Sequence, residues 1–345
     1  MITESHRATI RDVARQAHVS TATISRVMNN SPLVKEETKR HVMQVVRELN
    51  YEPNIIARGL VVCKTHTLGL IVSLATHLFS AYYFTEVLRG VEAASNIHGY
   101  GLLLNVPRME QTRISYAHLY EQSKADGVII LAPPSDDEGI KRLVERKTPA
   151  VLIGGFVEGL SSVRVNNVDS AFSVVEHLIS LGHRRIAMVN GIMSGIDAQE
   201  RFRGYQLALA KHGIEMDDGL VGYGEYDQEK GFEVTMKLFS NRPQPTAMFC
   251  ANDLMALGAV KAIREYGYDC PEDVSVVGFD DMEAAAYFHP PLTTVRQPLF
   301  DIGREATTLL INQIEKKVTE PQTVILKSEL IIRGSTAKLK ENDER

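Results

Sequence analysis

The chain has 345 residues, 44% hydrophobic and 23% charged, with a formal net charge of −5, as expected of a globular protein with more than one domain. No apolar run reaches membrane-spanning length, and the first residues, MITESHRA, lack the apolar core of a secretory signal. Three isolated cysteines, Cys63, Cys250 and Cys270, predict neither a disulfide framework nor a zinc cluster. We therefore expect a cytoplasmic protein with no membrane partner, metal or cofactor.

The charge is divided unevenly along the chain. Residues 1–64 contain ten Lys or Arg and six Asp or Glu, a net charge of +4, whereas the remaining residues carry −9. A positive segment suits the phosphates of nucleic acid, which would repel the acidic remainder. Such a division also occurs on ordinary solvated surfaces, so its weight depends on the motif that coincides with it.

Two short helical patterns open the basic segment. Thr9 is a predicted N-cap, with Asp12 at the capping-box position. The chain breaks at 17–19, and Ser20 is positioned to cap the second helix. The apolar face of the first helix is Ile10, Val13, Ala14 and Ala17, and that of the second is Ile24, Val27 and Met28. A short helix, a tight turn and a second capped helix have the spacing of a helix-turn-helix.

The opposite face of the second helix carries small or hydrogen-bonding groups around one arginine. These residues are Thr21, Ala22, Ser25 and Arg26. Such a face suits the major groove of DNA. The alternative is a generic small helical bundle, which two capped helices alone would not exclude. A third amphipathic helix is predicted at about 34–50.

From residue 67 onward, apolar runs alternate with helical patterns. Strands are predicted at 68–72, 101–106, 127–131, 150–154, 185–190, 246–250 and 274–279. Helices are predicted at 84–97, 112–124, 136–146, 169–181, 199–212, 229–240, 252–267 and 299–317. This alternation is typical of parallel sheets in an α/β fold, and the number of strands favours two doubly wound lobes. A ligand would bind at the carboxyl ends of the strands, between the lobes. The sequence shows no catalytic or metal-binding motif.

The chain resembles the lac repressor family of bacterial transcription regulators. The resemblance is carried by TIRDVARQAHVSTATISRV, EET, ELNYEPNIIARGL and KTHTLGLIV, and it continues almost to the C-terminus. It implies a helix-turn-helix domain at 8–53, a hinge helix and linker at 54–64, and a body at 65–335 with the fold of type I periplasmic binding proteins. The N-lobe would cover about 65–164 and 293–323, and the C-lobe about 165–292 and 324–335.

The oligomeric state is predicted from the tail and from symmetry. The polar tail at 336–345 lacks the apolar heptads of a tetramerising coiled coil. A single small head reads few bases, and two-fold symmetry doubles that readout. We therefore expect a homodimer on a palindromic operator in double-stranded DNA.

The resemblance also implies which residues contact DNA. Thr21, Ala22 and Arg26 match base-reading positions of the recognition helix, where arginine can bond guanine and alanine can contact a thymine methyl. Thr21 could instead be a second capping hydroxyl, and Arg26 could contact a phosphate or solvent. Thr9, Ser20, Ser25 and Asn29 are predicted to bind phosphates or to cap helices.

The hinge prediction rests on residues 54–61. In relatives this helix forms on DNA and wedges a leucine into the minor groove, and Leu60 takes that position here. Asn54, Ala57 and Leu60 are the hinge residues predicted to contact DNA. Gly59 weakens the helix, and Val61 stands where many relatives carry a lysine or arginine. The alternative is an ordinary flexible linker.

Five residues of the body are predicted to bind an effector. Arg201, Asn252 and Asp280 match family positions that face it and can bond the hydroxyls of a sugar or another polyol. Asn252 and Asp280 could instead cap the following helix or turn, and Arg201 could pair with an acid. Tyr83 and Phe84 match an aromatic pair, of which we expect one to face the ligand and one to pack in the core.

Two departures from the family pattern affect the predicted pocket. Relatives often have Asp-Arg after the strand that here ends Ile153-Gly154-Gly155, so the glycines remove a polar group. The loop at 73–82, SLATHLFSAY, is longer than usual and carries Ala81-Tyr82 in place of Asn-Pro. Both changes predict a ligand that is larger than a simple hexose or differently substituted.

The predicted function is a repressor of carbohydrate-related genes that responds to a small-molecule effector, a sugar or sugar derivative. Two other functions remain open. One is a regulator that depends on a nucleoside- or purine-type corepressor, and the other is a solute-binding protein of a transport system. The predicted DNA-binding head and the absence of a secretory signal disfavour the transport protein. An enzyme is disfavoured because no paired catalytic carboxylates or nucleophile–base spacing is visible.

Overall fold

The computed structural model describes residues 8–28, 31–51, 64–73, 82–105, 116, 118–134, 137–240 and 243–340. The chain divides between Thr65 and His66 into two compact units. We call them the head and the body and describe each by itself. Among the described residues, no helix is both long and apolar enough to span a membrane.

The head contains three helices, α1 (Ile10–Gln16), α2 (Thr21–Met28) and α3 (Glu36–Glu48). The capping box of α1 is confirmed, because the backbone N–H of Thr9 donates to Asp12 Oδ2 at 3.0 Å and that of Asp12 donates to Thr9 Oγ1 at 3.4 Å. Ser20 caps α2, accepting from the backbone N–H of Thr23 at 3.1 Å. His18 turns the chain between these helices with a φ of +51°.

The core of the head is made of small aliphatic side chains. Its buried members are Val13, Ala14, Ala17, Ile24, Val27, Val42, Val45 and Val46. They come from the apolar faces predicted for the three helices, so hydrophobic periodicity and two polar caps specify this unit. The structure confirms a helix-turn-helix followed by a third packing helix.

The body begins with a lobe built on six parallel strands. These strands are β1 (Thr67–Val72), β2 (Gly101–Asn105), β3 (Gly127–Leu131), β4 (Ala150–Ile153), β5 (Ser161–Val165) and β11 (Thr323–Leu326). Their order across the sheet is β11-β5-β4-β3-β1-β2. In this register Leu70 lies between Leu104 and Ile129. The associated helices are α4 (Tyr82–Ile97), α5 (His118–Glu121), α6 (Glu138–Glu145) and α11 (Leu299–Ile314).

The second lobe has a four-stranded parallel sheet in the order β7-β6-β8-β9. The strands are β6 (Ile186–Asn190), β7 (Val221–Tyr223), β8 (Ala247–Cys250) and β9 (Ser275–Val277). An antiparallel pair, β10 (Thr294–Arg296) and β12 (Glu329–Ile331), adjoins β9 through bridges at Val277–Thr293 and Asp280–Arg296. The helices are α7 (Asn167–Ser180), α8 (Ile196–Lys211), α9 (Gln228–Ser240) and α10 (Asp253–Glu265).

The chain passes between the lobes at three places, two of which differ from the predicted boundaries. We predicted the second passage at 292/293, but β10 still belongs to the second lobe and the passage follows Arg296. We predicted the third at 323/324, but β11 pairs with β5 of the first lobe. The predicted boundaries came from the family resemblance, and each falls within a few residues of a short strand, β10 or β11, whose pairing decides to which lobe it belongs.

Other differences are local. Five short strands, β5, β7, β10, β11 and β12, were not predicted, because they have three to five residues and several polar side chains. Of the helix predicted at 112–124, the structure describes α5; residues 106–115 and 117 lie outside the described part. The predicted tail at 336–345 begins as a packed segment, since Ala337 donates to Ser275 Oγ at 3.0 Å and Leu339 to the carbonyl of Leu181 at 2.8 Å.

Candidate functional site

The exposed face of α2 carries the residues predicted to read DNA. Thr21, Ala22 and Arg26 are exposed and Ser25 is half-buried, while Ile24 holds the helix against the core. Because Ser20 provides the cap, Thr21 is not needed for that role. The side chains of Thr9 and Ser20 cap α1 and α2, which is the capping role that the sequence offers beside phosphate binding. Asn29, Asn54, Ala57 and Leu60 lie outside the described residues, as does the loop at 74–81.

Arg201 lies buried on α8 at the carboxyl ends of the second-lobe strands. Its Nε donates to Asn167 Oδ1 at 2.9 Å and its Nη1 to the carbonyl of Ala251 at 2.6 Å. The guanidinium carbon is 3.9 Å from the centroid of the Phe279 ring. These contacts fix its position, and the hydrogen bonds to described residues use Nε and Nη1 but not Nη2.

Asp280 follows β9 and is 8% exposed. Its Oδ1 accepts a hydrogen bond from Gln297 Nε2 at 2.7 Å, and its backbone N–H donates to the carbonyl oxygen of Val295 at 2.8 Å. Its φ is +111°, a strained value for a residue with a side chain. Burial raises the pKa of this carboxyl group to about 6, although Arg201 and the Gln297 hydrogen bond oppose the rise.

Asp197 is a cleft residue that we did not predict. It lies in the first turn of α8, and its Oδ1 accepts from the backbone N–H of Gly155 at 3.1 Å and from Asn167 Nδ2 at 2.9 Å. Gly155 belongs to the first lobe and Asn167 to the second, so one carboxylate bridges both lobes. Burial raises its pKa, and Arg201 opposes that rise. The signal in the sequence was its place shortly after β6, at the start of a helix.

Gly154 and Gly155 have a different role from the one we inferred. Their φ values are +76° and +69°. A Cβ on Gly154 would lie 2.4 Å from Asp197 Oδ2, and one on Gly155 would lie 2.6 Å from Ile196 Cδ1. Because these two glycines lack side chains, α8 can pack closely against the first lobe. The polar group they remove from the first lobe is replaced by Asp197 from the second.

Two tyrosines complete the cleft, of which Tyr226 was not predicted. Its ring is 6.0 Å from the Arg201 guanidinium, and a Cβ on Gly191 would overlap this ring. Burial and the charge of Asp197 raise the pKa of Tyr83, and Asp280 adds to this effect. Burial and the same two carboxylates also raise the pKa of Tyr226, and Arg201 opposes that rise. We call Tyr83, Asp197, Arg201, Tyr226 and Asp280 the cleft cluster.

The other two residues predicted to bind an effector are used in packing and capping. Phe84 is 2% exposed in the core of the first lobe, so it is the core member of the predicted aromatic pair and not a ligand contact. Consecutive residues on a helix point in different directions, and Tyr83 takes the cleft side. Asn252 is the N-cap of α10, accepting from the N–H of Met255 at 2.9 Å, and its Nδ2 donates to the carbonyl of Tyr226 at 3.0 Å.

Two carboxylates near the cluster, Glu200 and Asp281, form ion pairs, whereas the buried Asp253 accepts hydrogen bonds from Thr294 Oγ1 and the Met282 N–H. Arg164 Nη1 lies 2.5 Å from Glu200 Oε1. The carboxylate of Asp281 forms ion pairs with Arg296 Nε and Arg333 Nη2, each at 2.6 Å. In the described part of the chain, no group of three or more His, Cys, Asp or Glu side chains is arranged to hold a metal ion.

Comparison with protein families gives two matches along the chain. Residues 9–54 match bacterial regulatory proteins of the lacI family, and residues 175–336 match the periplasmic binding protein-like domain. Among curated proteins, the HTH-type transcriptional repressor PurR of Vibrio parahaemolyticus is 34% identical, with 96% of this chain and 99% of the relative covered. Catabolite control protein A of Priestia megaterium is 33% identical, with 95% and 99% covered.

Two solved structures match this chain over nearly its whole length. The lac repressor dimer bound to operator and the anti-inducer ONPF has a TM-score of 0.83 at 29% identity, covering 96% of this chain and 99% of that chain. The transcriptional regulator CelR in complex with cellobiose has a TM-score of 0.73 at 34% identity, covering 95% and 100%. The chain belongs to the lacI family of bacterial regulatory proteins and is a DNA-binding transcriptional repressor.

Proposed function

We propose that this repressor acts in the cytoplasm as a homodimer on a palindromic operator, and that a carbohydrate bound between the lobes controls its affinity for DNA. One observation carries the effector part of the proposal. The cleft cluster brings two carboxylates, one guanidinium and two phenols from four separate segments to the boundary between two lobes. Buried polar groups that converge in this way form a site for a polar ligand.

The chemistry of the cluster suits a sugar. Carboxylates accept hydrogen bonds from hydroxyl groups, and the guanidinium of Arg201 can donate to hydroxyl or ring oxygens. The rings of Tyr83 and Tyr226 offer apolar faces for the C–H surfaces of a sugar. A related regulator at 34% identity was solved as a complex with cellobiose, which supports this class of ligand.

The position of Asp280 suggests how a ligand would be sensed. Its bond partner Gln297 lies directly after β10, where the chain leaves the second lobe for the first. A ligand that contacts Asp280 therefore acts on one of the three passages between the lobes. It will change DNA affinity only to the extent that it binds one arrangement of the lobes more tightly than the other.

The second candidate effector is a nucleoside- or purine-type corepressor. It is favoured by the relatives named PurR, which are 31–34% identical over nearly the whole chain. The two tyrosine rings of the cluster would then stack on a base. A sugar and a purine are distinguished by which of them changes operator binding.

The first test is selection of random duplex DNA by the purified full-length protein, followed by titration of the selected site. We expect a near-palindrome, and we expect a sugar to change its affinity. Arg26→Ala should lose about 1–3 kcal/mol of discrimination between bases at one position of each half-site. Arg11→Ala, an exposed arginine on α1, is the matched control for loss of charge.

Three results would contradict parts of the proposal. Equal weakening of Arg26→Ala on every sequence would make Arg26 a phosphate contact. A purine that promotes binding, with no effect of any sugar, would replace the carbohydrate by a corepressor. Selection of a site without two-fold symmetry would contradict the dimer.

A further inference from the structure

The first turns of α8 contact the first lobe through backbone atoms and one carboxylate. An isolated antiparallel β-bridge joins Gly195, the N-cap of α8, to Pro134 in the segment that follows β3. The Asp197 carboxylate accepts from the backbone N–H of Gly155, which follows β4, at 3.1 Å. These two contacts hold the N-terminal end of a second-lobe helix at the carboxyl ends of two first-lobe strands.

A third contact between the lobes is an ion pair. Arg164 Nη1, on β5 of the first lobe, lies 2.5 Å from Glu200 Oε1, on α8 of the second lobe. Their side chains are 19% and 22% exposed, so water screens this pair less than it screens a pair on the open surface. The pair differs from the other two contacts because a change of charge can remove it while the size of both side chains is kept.

The charge of Arg164 is balanced by Glu200. Its guanidinium carbon also lies 5.9 Å from the centroid of the Phe156 ring, a weaker contact within the first lobe. Its buried Nε has no hydrogen-bond partner among the described residues. Loss of the Glu200 carboxylate would therefore leave a largely buried cation that has no other ion pair in the described part of the chain, and such a charge destabilises the arrangement that buries it.

Asp197, Glu200 and Arg201 lie on one face of α8. Glu200 and Arg201 follow Asp197 at the i+3 and i+4 positions, the spacing that places side chains above one another on a helix. Asn167 connects two of them, because its Nδ2 donates to Asp197 Oδ1 at 2.9 Å and its Oδ1 accepts from Arg201 Nε at 2.9 Å. A movement of α8 at Glu200 would thus move both members of the cleft cluster that this helix carries.

We propose that Arg164 and Glu200 are positioning residues of the effector cleft, and that their ion pair sets how strongly the lobes are held in the arrangement that assembles the cleft cluster. Neither side chain needs to touch the effector, because the pair acts through α8. This inference rests on the proposed function, since it concerns the regulation of the same cleft. A contact that is present in only one arrangement of the lobes shifts their equilibrium, and with it the affinity for any ligand that distinguishes the arrangements.

The direct test is hydrogen exchange of the full-length protein, measured by mass spectrometry with overlapping peptides that isolate the Gly155 amide. This N–H donates to Asp197 across the lobes, so its exchange rate reports how often α8 leaves the first lobe. In Glu200→Gln and in Arg164→Gln, the Gly155 amide should exchange about three- to tenfold faster than in the unaltered protein. In the double variant it should exchange no faster than in the single variants, because both substitutions break the same pair.

The functional test is operator affinity, measured on the DNA that selection of random duplexes recovers. With the active fraction fixed by stoichiometric titration, both single variants should change this affinity in the same direction, by about three- to tenfold. A pair that only stabilised the fold would lower the melting temperature and leave the affinity of the active protein unchanged. The matched control is Asp217→Asn, since Asp217 Oδ2 pairs with Arg185 Nη1 at 3.0 Å within the second lobe. This variant should keep both readouts within about twofold of the unaltered protein.

The outcomes separate this inference from the proposed function. Unchanged exchange of the Gly155 amide in the single variants would overturn the inference, and so would an equal acceleration in β6, which would indicate unfolding of the whole body. Faster exchange at Gly155 with unchanged operator affinity would overturn it as well. If Glu200→Gln does not fold, Arg164→Gln tests the same pair from its other partner. If the selection recovers no DNA site, the proposed function fails, whereas the exchange measurement still decides whether the pair positions α8.

Discussion

The head and the body place their functional side chains in opposite environments. On the head, Thr21, Ala22 and Arg26 are exposed above a core of small aliphatic residues. In the body, Arg201 and Asp280 are buried, and their electrostatics are set by neighbours and by exclusion of water. A surface that meets a solvated phosphate backbone can remain wet, whereas selection of a small ligand needs groups that are already desolvated and held in place.

The head and the body also differ in what stabilises them. The head relies on one small core and on polar caps, so single side chains carry a large share of its free energy of unfolding. The body has four separate hydrophobic clusters and tolerates strained or charged residues within them. Substitutions in the head should therefore act on folding, and those in the cleft should act on electrostatics.

The largest expected effect is that of Ile24→Ala. Ile24 is fully buried in the head, and its truncation should reduce the free energy of unfolding of this unit by about 2–5 kcal/mol. In calorimetry of the full chain, the head transition should be lowered or lost while the body transition stays. Leu33→Ala, at a position that is 82% exposed, is the control and should change little. A parallel fall of the body transition would show that the two units unfold together.

The second prediction concerns Asp280 and pH. A buried acid whose pKa is raised to about 6 binds protons more tightly when folded, so its contribution to stability is lost as pH rises from about 4 through 6. A shift of about two pKa units corresponds to about 3 kcal/mol over the whole window, of which about half is lost between pH 5 and pH 7.5. The body should therefore be less stable at pH 7.5 than at pH 5, and Asp280→Asn should reduce that difference when denaturant melts are compared. An unchanged pH dependence would mean that Asp280 does not titrate in this range.

The third prediction isolates the contact between the lobes. Gly154→Ala places a methyl group 2.4 Å from Asp197 Oδ2 at a φ of +76°. Gly213→Ala has a similar φ of +63° but meets nothing within 4 Å, so it measures the backbone cost alone, about 1–2 kcal/mol. We expect Gly154→Ala to lower the body's melting temperature more than the control. Equal shifts would mean that the lobes separate freely at this point.

The smallest effect is expected at the cap of the head. Thr9→Ala removes the hydroxyl that accepts from the backbone N–H of Asp12 and should cost about 1 kcal/mol. Thr9→Ser keeps the hydroxyl and should retain the stability of the head in the same melts. If both variants melt like the unaltered protein, the capping box contributes nothing measurable.

The head and the body also differ in what could be predicted. Every described element of the head follows from local signals, because caps and helical periodicity are visible within one short segment. Long apolar strands such as β3 and β6 were predicted for the same reason. The three-residue strands β7, β9, β10 and β12 are fixed by neighbours far along the chain, and of these only β9, as part of a longer apolar run, was predicted.

The residues of the cleft could likewise be predicted only in part from the sequence. Arg201, Asp280 and Tyr83 were identified through the family resemblance, and the structure brings them together. Asp197 and Tyr226 were missed because their roles depend on residues of other segments, above all on the two glycines that let α8 approach the first lobe. Phe84 and Tyr83 could not be told apart from the sequence, since only packing shows which ring faces the core.

The interleaving of the lobes has a consequence for synthesis. The first sheet is completed by β11, and the antiparallel pair that adjoins the second sheet is completed by β12, both after residue 322. While the chain emerges from the ribosome, neither lobe can therefore pair all of its strands until almost all of the body has been made. The helices of the head are contiguous within residues 10–48 and can fold long before that. A nascent chain would thus carry a finished head before the body that is to regulate it exists.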